Sequence, residues 1–589
     1  MNKSLNLLPK LPIKTVGIIG AGPRGLSALE SLYLQYAKQN PPYLLKVIVF
    51  EATGNFGNGQ VYTKKQLSSN LLNLSDRALT INCRPEINTK KITLSAFPSY
   101  HQWSNFKENN NLPDTYASRA VIGNYLSERF NSIYNNLKSH KLITKQTTTI
   151  ENIDYKNNTF YLYNNKNCYE VDEVLLTIGH QQIELDKQLK EWSSCTDLNK
   201  NLKLVAKPYP IANYLNFTKN KDLKIALRGF GLAMIDIAKA IALANGCKFI
   251  REDETSQKLS ITNQQGCPKL IPFSLDGLPM APKPLNAKID SWFSPSKKDL
   301  ENFEHQLKAA VTDALHIKSN SFLTKALAPV IASTFLNLKN KAVKHSLNKE
   351  EIVLLVENWI ENKEQENVVF TDVNLDAYAL MKHYAQMATG LKPITLDYCI
   401  GQVWRHLQPT IYKLLSYNNF SEKVISELIK QDEVHKRLTF GPPVESIQQL
   451  IALVEANILD LSVINNPTIT CGKNGWTLKN ENCEVSANMM INSVLPSPQI
   501  LKVNTPLVKN LLQANYFQPI HSKLGIETLK NGLLNLPNTK NVLPIALLGR
   551  LAKGTVIGVD AILECFGVRQ KYWAEDSVER LTEKGNVKE

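Results

Sequence analysis

A glycine-rich turn near the start of the chain has the spacing of a phosphate-binding motif. The stretch VGIIGAGPRGLSALESL spans residues 16–32 and places glycines at 20, 22 and 25. Gly20 allows a tight turn, Gly22 lets backbone amides approach a pyrophosphate, and Gly25 lets the following helix pack close to the preceding strand. The free N–H groups and partial positive charge of that helix start favour phosphate groups. We therefore predict a dinucleotide site here.

The elements around this turn support the prediction. A buried strand precedes it, a helix follows it, and the next strand, KVIVFE at 46–51, ends on an acidic residue. Glu51 is placed to accept hydrogen bonds from ribose hydroxyls, somewhat beyond the usual spacing because the NPPYLL connection lengthens the loop. The alternative is a glycine turn that joins a strand to a helix without binding a ligand.

The stretch LKIALRGFGLAMIDIAKAIALANG, 223–246, repeats the order of strand, glycine turn and helix. Gly229 and Gly231, followed by Leu232, permit a phosphate to approach the helix start, although Met234 stands where a third small residue is common. A unit that only packs is the alternative. Two such units predict two dinucleotides, one a tightly bound redox group and the other its hydride donor.

Two further glycine segments belong to this pattern. LLTIGH, 175–180, is a strand ending at Gly179 between the two units. Near the end of the chain, Gly549 follows the strand LPIALL, and Lys553-Gly554-Thr555 leads into a predicted helix that ends at Glu564. The start of that helix would stabilise the negative charge of a reduced flavin. An ordinary terminal helix is the alternative.

Composition limits the classes of protein that need consideration. The chain has 589 residues, 43% of them hydrophobic and 21% charged, which predicts two to four ordinary globular domains. The first fifteen residues lack a secretion-signal pattern, and no window reaches the roughly 18 apolar residues of a membrane helix. The nine cysteines form no CxxC pair, which argues against a redox dithiol or a zinc site and favours reduced thiols in a cytoplasmic protein. Lysines spread along the chain account for the net charge of +15, so nucleic-acid binding is disfavoured.

The predicted fold class is α/β, with two Rossmann-like dinucleotide-binding units, a mainly helical insertion and a C-terminal segment that returns to the first unit. The long amphipathic stretches after residue 286 carry the helical prediction. The predicted boundaries are 1–195 for the first part of the first dinucleotide-binding domain, 196–285 for the second Rossmann-like unit, 286–465 for the insertion and 466–589 for the closing part of the first domain.

An ordered series of segments resembles one flavoprotein family over most of the chain. The chain is similar to the FAD/NAD(P)-binding proteins grouped with urate-hydroxylase-like flavoproteins and the aspartate N-monooxygenases (nitrosuccinate synthases). The segments that carry the resemblance are GIIGAGPRGLSALESL, FEATGNFGNGQVY (50–62), NLLNLSDRALTI (70–81), YASRAVIGNYL (116–126), LLTIGH, RGFGLAMID, FSLDGLP (273–279), TFGPPVES (439–446) and GRLAKGTVIGVDAI.

The resemblance implies FAD in the first unit and NADPH or NADH in the second. NAD(P)H would reduce FAD, and the reduced flavin would activate O2 as a flavin peroxide. The implied reaction is monooxygenation of a small polar metabolite, with N-hydroxylation of an amino acid in secondary metabolism as the specific form. The alternatives are an oxidoreductase acting on tRNA and a non-catalytic flavin-bound sensor. The oligomeric state is left open.

The resemblance also adds candidate residues. Gly57 and Gly59 would run near the flavin, Arg119 and Gly123 would lie close to the cofactor, and Asn73 would hydrogen-bond the flavin edge or the nicotinamide as the candidate catalytic residue. Packing roles are the alternative for each of these. The full set of candidate cofactor-binding residues is Gly20, Gly22, Pro23, Arg24, Gly25, Glu51, Gly57, Gly59, Asn73, Gly179, Gly229, Gly231, Leu232, Gly549, Gly554 and Thr555.

Few residues of the sequence are candidates for binding the substrate or for distinguishing NADPH from NADH. Arg405, in the insertion, would pair with a substrate carboxylate, or it forms a structural or surface salt bridge instead. FSLDGLP lacks the arginine that often precedes the glycine in the family, which leaves NADPH and NADH both open. Lys248 and Arg251 favour a 2′-phosphate, whereas Glu252 and Asp253 oppose it. We predict no metal site.

Overall fold

Apolar β-branched strands and their connecting helices determine the architecture. The structure is a computed structural model, and it describes residues 11–362, 367–536 and 543–586. The first part of the chain contains β1 (Ile13–Ile19), α1 (Pro23–Gln39), β2 (Leu44–Phe50), β3 (Ile87–Asn88), β4 (Thr93–Leu94), α2 (Tyr100–Ser104), α3 (Arg119–Ser139), β5 (Ile143–Gln146), β6 (Asn152–Lys156), β7 (Thr159–Tyr163), β8 (Cys168–Val171), β9 (Glu173–Leu176) and α4 (Lys187–Leu198).

The middle of the chain alternates strands with helices and then becomes helical. It contains β10 (Lys203–Val205), β11 (Lys224–Arg228), α5 (Leu232–Ala244), β12 (Lys248–Arg251), β13 (Leu259–Thr262), β14 (Lys269–Phe273), α6 (Ala287–Asp290), α7 (Lys297–Thr312), α8 (Ser321–Asn337), α9 (Lys349–Asn362), α10 (Ala377–Ala388), α11 (Leu396–Leu415), α12 (Glu422–Thr439) and α13 (Val444–Glu455). The remaining elements are β15 (Thr468–Gly472), β16 (Gly475–Lys479), β17 (Glu484–Ala487), β18 (Met489–Asn492), α14 (Pro506–Gln513), β19 (Ile545–Leu547) and α15 (Val568–Asn586).

Two parallel sheets form the frame. The first has the strand order β19-β9-β1-β2-β5, and the second has the order β10-β18-β11-β14. In both, the central strands are almost continuously apolar because helices or a second layer cover both faces. The smaller sheets β6-β7-β8 and β15-β16-β17 are antiparallel. The predicted α/β class with two units and a helical insertion is confirmed.

The insertion has its own core and also covers the second unit. Buried side chains of α7, α8, α9, α11 and α12 form one apolar cluster. Helix α10 contributes Leu380 and Tyr384 to the same cluster and Met381 to the core of the second unit, whereas α13 packs against α5 with Ile447 and Leu450. This contact explains why α5 is buried over Ala233–Ala242 on every face.

The predicted boundary at 465/466 differs from the structure. Strand β18 pairs with β10 and β11, so it belongs to the second unit and not to the closing part of the first. The helical insertion is therefore a long crossover that interrupts the second unit between β14 and β18. Only the later segments, with α14 and β19, return to the first unit, where β19 pairs with β9.

Two other expectations are corrected by the structure. The predicted helix ending at Glu564 is absent: Gly554 (φ +111°) and Gly558 (φ +77°) interrupt the segment, and regular helix begins at Val568. The expectation that all cysteines are free thiols is wrong for Cys195 and Cys471, which form a disulfide between α4 and β15. Among the described residues, no helix combines the length and apolarity needed to cross a membrane.

Candidate functional site

The glycines of the first turn fall into two groups by what surrounds them. A Cβ on Gly20 would lie 2.4 Å from the Thr177 carbonyl oxygen, and one on Gly25 would lie 2.3 Å from the Gly20 oxygen. These two glycines allow strand and helix to pack. Gly22 differs, because its Cβ would meet only the Cα of Gly59, at 3.7 Å. Space therefore lies open in front of Gly22.

The start of α1 has free hydrogen-bonding capacity. Gly22 is its N-cap without a side-chain cap, Pro23 occupies the first turn, and that turn carries no acidic residue. Arg24 donates to the Glu564 carboxylate and to the Val559 carbonyl at 3.1 Å, which ties this turn to the C-terminal segment. Its Nε is buried with no hydrogen-bond partner in the described part of the chain. An uncapped helix start beside an unpartnered guanidinium nitrogen fits an anionic ligand.

The loop after β2 lies against the glycine turn. The Gly57 N–H donates to the Ala21 carbonyl at 2.6 Å, which fixes the loop beside the turn. Glu51 follows β2 immediately, but its carboxylate accepts hydrogen bonds from the backbone N–H groups of Thr53 (2.7 Å) and Asn55 (2.8 Å). Glu51 is thus at the predicted place, and its side chain orders its own loop. A ribose contact stays a prediction.

The carboxyl ends of three neighbouring strands bring the remaining glycines of the first unit together. Gly20 follows β1, Gly179 follows β9 after a short turn, and Gly549 follows β19. Strand β1 lies between β2 and β9, so chain connections leave in opposite directions at this edge, where ligands bind in open α/β sheets. A Cβ on Gly179 would meet no atom within 4 Å, whereas one on Gly549 would meet the Arg24 guanidinium.

The C-terminal candidates are buried in packing. Gly554 has φ +111°, and its Cβ would lie 2.7 Å from the Ile520 side chain. The Thr555 hydroxyl donates to the Ile526 carbonyl at 3.2 Å. Without the predicted helix, this segment presents no helix start to a flavin, and these two residues hold the turn together.

The second glycine turn, like the first, has a glycine that allows close packing and another with open space beside it. A Cβ on Gly229 (φ +109°) would lie 2.7 Å from Ser493 Oγ, at the end of the neighbouring strand β18. Gly231, the N-cap of α5, has no atom within 4 Å of its Cβ position, and the first turn of α5, which begins at Leu232, has no acidic residue. The open space again lies before the second glycine and the helix start.

A narrow crevice lies where the two units meet the insertion. It is lined by Leu71, Leu72, Asn73 and Arg119 from the first unit, by Leu232, Ile235 and Asp236 from α5, and by Pro442, Pro443 and Ser446 from the insertion. The crevice therefore joins the start of α5 to the segment that the resemblance places along the flavin ring.

An ion pair connects the two units at this crevice. Arg119 Nη2 lies 2.8 Å from Asp236 Oδ2, and the Tyr209 hydroxyl donates to the same oxygen at 2.6 Å. The Arg119 guanidinium also lies over the Tyr209 ring, 4.9 Å from its centroid. Burial and the Asp236 charge raise the pKa of Tyr209. The glycine motifs did not identify Asp236, although a single carboxylate within the apolar run LAMIDIAKAIALA indicates a buried polar contact.

Asn73 lies in the crevice, and its side chain is fixed on both sides; its contact with the flavin or the nicotinamide stays a prediction. Its Nδ2 donates to the Phe440 carbonyl at 2.9 Å, and its Oδ1 accepts from Lys283 Nζ at 2.9 Å. Burial, with a contribution from the Arg405 charge, lowers the pKa of Lys283 to about 7. The sequence motifs did not identify Lys283, which lies four residues after FSLDGLP.

Arg405 forms a buried salt bridge, which is the alternative considered for it. Its guanidinium contacts the Asp290 carboxylate, which Arg77 (3.2 Å) and His406 (3.2 Å) also contact. Although burial opposes ionisation, the hydrogen bond from His406 and the charge of Arg405 hold the pKa of Asp290 well below its usual range. The predicted role of Arg405 as a substrate anchor is therefore disfavoured.

Replacing Arg405 by methionine should reduce stability more than substrate affinity. Asp290 is almost fully buried, so loss of its main partner is expected to cost about 2 kcal/mol; Arg77 and His406 limit the loss. Thermal unfolding measures this, with exposed Lys413→Met on the same helix as the control. An unchanged melting temperature together with a raised substrate KM would restore Arg405 as the substrate anchor.

The candidates for a 2′-phosphate lie on the β12–β13 hairpin, outside the parallel sheet. Arg251 already pairs with Glu254 (3.9 Å) and Glu445 (3.7 Å), whereas Lys248 is exposed. Arg251 is therefore not a free cation, and both nicotinamide coenzymes stay under consideration.

Comparison with known proteins finds a family model, a curated relative and several solved structures that are similar to this chain. Residues 17–181 match the FAD-NAD(P)-binding family model. The chain is 22% identical over 557 residues to nitrosuccinic acid synthase of Aspergillus oryzae, covering 87% of this chain and 83% of that protein. Among solved structures, ornithine hydroxylase from Pseudomonas aeruginosa (TM-score 0.42, 9% identity) covers 97% of this chain and 99% of its own. L-lysine 6-monooxygenase from Pseudomonas syringae (TM-score 0.41, 11% identity) covers 96% and 99%.

The predicted cofactor class and resemblance are confirmed by these findings. Residues 17–181 match an FAD-NAD(P)-binding domain, and the chain is similar to nitrosuccinic acid synthase.

Proposed function

We propose that the protein is an NAD(P)H-consuming, FAD-dependent monooxygenase that hydroxylates the amine of a small amino acid. The observation that carries this proposal is the crevice where the two units meet, which is lined by the start of α5, by the segment around Asn73 and by the insertion. In that arrangement a hydride donor bound at one turn and an acceptor bound at the other would meet next to a substrate pocket.

The first unit is suited to FAD and the second to the nicotinamide nucleotide. Open space before Gly22 and the unpartnered Nε of Arg24 fit the FAD pyrophosphate, and the open space before Gly231 fits that of NAD(P)H. Asn73, held by Phe440 and Lys283, would present a fixed amide to the ring system. Bound FAD supplies the redox chemistry and the activation of O2.

The residues of the chain orient the reactants and exclude water. Apolar side chains, among them Leu71, Leu72, Leu232 and Ile235, line part of the crevice and would exclude water from the reacting groups when the cofactors are bound. The Arg119–Asp236 ion pair holds α3 against α5, and so fixes one unit relative to the other. The two charged residues of the crevice, Arg119 and Asp236, pair with each other, which agrees with chemistry that depends on the cofactor.

The relative's product indicates which amino acid to test first. Nitrosuccinic acid has the carbon skeleton of aspartate with a nitro group in place of the amine, and the relative aligns over 87% of this chain. Oxidation of an amine nitrogen produces that change. L-Aspartate is accordingly our first candidate substrate, and an amine next to a carboxylate is the general class.

The experiment uses the purified full-length protein with FAD. We expect a yellow protein that oxidises NADH or NADPH faster in the presence of one amino acid and yields its N-hydroxylated or further oxidised product. A protein that FAD cannot reconstitute would overturn the proposal. A yellow protein inert to both coenzymes would favour a flavin-bound sensor, and salt-dependent retention on tRNA with no response to amino acids would favour the tRNA enzyme.

A further inference from the structure

The segment that carries Lys283 is held rigidly between the insertion helices. The Lys283 N–H donates to the Pro442 carbonyl at 3.0 Å, and the Ala281 N–H donates to the Arg437 carbonyl at 3.0 Å. From the other side, the buried Tyr398 hydroxyl donates to the Pro282 carbonyl at 2.9 Å. The backbone of Lys283 is thus fixed, and its side chain extends from a defined point.

The Lys283 amine has neutral hydrogen-bond partners and no ionic one. Its Nζ donates to the backbone carbonyl of Asn73 and, at 2.9 Å, to Asn73 Oδ1. An ammonium group has three donors, so one remains. Lys283 is partly buried, and no carboxylate oxygen in the described ranges lies within 4.0 Å of this nitrogen.

Neighbouring carboxylates do not neutralise this cation, because they already have partners. Asp114 pairs with Arg77 at 2.8 Å, and Asp290 is shared between Arg77, Arg405 and His406. Two arginines therefore balance two aspartates, so the protonated form of Lys283 has no carboxylate partner among the described residues. An anionic ligand would supply the missing charge.

We propose that Lys283 binds the carboxylate of the amino-acid substrate and thereby selects amino acids over amines that lack a carboxylate. This inference rests on the proposed function and names the residue responsible for its substrate class. Asn73 is then a positioning residue: it holds the ammonium with its Oδ1 while Phe440 fixes the orientation of its amide. Lys283 takes the role that the sequence suggested for Arg405.

The test compares Lys283→Met and Lys283→Arg with the wild-type protein, each loaded with FAD. Exposed Lys288→Met, five residues along the chain, is the matched control. Calorimetry without NAD(P)H measures the affinity for L-aspartate, L-glutamate, L-ornithine and L-lysine. Because Lys283→Met loses one charge-assisted hydrogen bond, it should bind the preferred amino acid at least about tenfold more weakly than the wild type does. FAD content should be unchanged, and Lys283→Arg should recover part of the affinity.

The outcomes separate this inference from the proposed function. Hydroxylation of an amino acid with the same KM in Lys283→Met and wild type would overturn the inference and leave the function intact. Amino-acid binding that depends on Lys283, without any oxygenated product, would support the inference and overturn the function. Binding of none of the four amino acids to the wild-type protein would overturn the inference.

The pH dependence of binding gives a second readout. The charged groups that act on Lys283 are Arg405 on α11, Asp290 on α6 and Asp114 before α3, and the pKa of Lys283 is lowered to about 7. Only the ammonium form binds a carboxylate strongly, so affinity should be constant below that pH and fall up to about tenfold per pH unit above it. Lys283→Arg should remove this dependence between about pH 6 and about pH 8. The same dependence in both proteins would contradict the proposal.

Discussion

Replacement of Gly22 by valine is expected to give a folded protein that has lost FAD. Gly22 has a negative φ of −73°, and a Cβ there would meet only Gly59, so the protein itself can accommodate a side chain. The side chain would project into the open space where the pyrophosphate has to approach the amides of α1. Loss of two charge-assisted hydrogen bonds amounts to about 3 kcal/mol or more, which is about a 100-fold weaker affinity.

The FAD absorbance of the purified protein and reconstitution with added FAD measure this effect. Gly472→Val is the matched control, because a Cβ on Gly472 would meet no atom within 4 Å and Gly472 lies in β15, outside both glycine turns. Thermal unfolding of FAD-free samples should show similar melting temperatures for both variants. Wild-type FAD content in Gly22→Val would contradict the assignment of FAD to the first unit.

Replacement of Gly231 by valine should have the complementary effect. Gly231 has φ −113° and no atom within 4 Å of its Cβ position, so the change is sterically tolerated by the chain. We expect full FAD content and a KM for NADH or NADPH raised about 10- to 100-fold, because the second phosphate site is blocked while the first is intact. Steady-state coenzyme oxidation measures the KM.

The two variants together test the division of the cofactors between the units. Loss of FAD in Gly231→Val with retention in Gly22→Val would reverse the assignment. Loss of FAD in both would show that the second turn contributes to FAD binding or to the stability of the first unit. Gly472→Val should keep both FAD content and the coenzyme KM of the wild type.

The glycine turns could be predicted because their requirements are local. A strand, a glycine with positive φ and a helix start must follow one another within a few residues, and Gly20 (φ +100°) and Gly229 (φ +109°) satisfy this. The periodic apolar pattern likewise predicted the helical insertion. These features depend on short-range backbone geometry, which the order of residues specifies directly.

The contacts that complete the site could not be predicted in the same way, because they join distant parts of the chain. Asn73 and Lys283 are 210 residues apart, and Arg24 and Glu564 are 540 apart. A single sequence does not show that Arg405 has an aspartate partner, and an unpaired lysine resembles any surface lysine. The position of β18 in the second sheet could not be predicted either, because the apolar pattern of a parallel strand does not determine its neighbours in the sheet.

Some of these residues nevertheless left a usable signal. Asp236 is an acidic residue within an apolar helix, and buried carboxylates usually have a partner. The structure supplies that partner as Arg119, from the first residue of α3. The disulfide between Cys195 and Cys471, separated by 276 residues, had no such signal.

We propose that this chain transfers oxygen from O2 to the amine of an amino acid at the crevice between its two units. The most direct test supplies isotopically labelled O2 to the FAD-loaded protein with NADH or NADPH and L-aspartate, and analyses the product by mass spectrometry. We expect labelled oxygen on the nitrogen of the product, formed at a much lower rate by Lys283→Met at limiting L-aspartate. Coenzyme oxidation that yields only hydrogen peroxide, with no labelled product from L-aspartate or the other three amino acids, would contradict it.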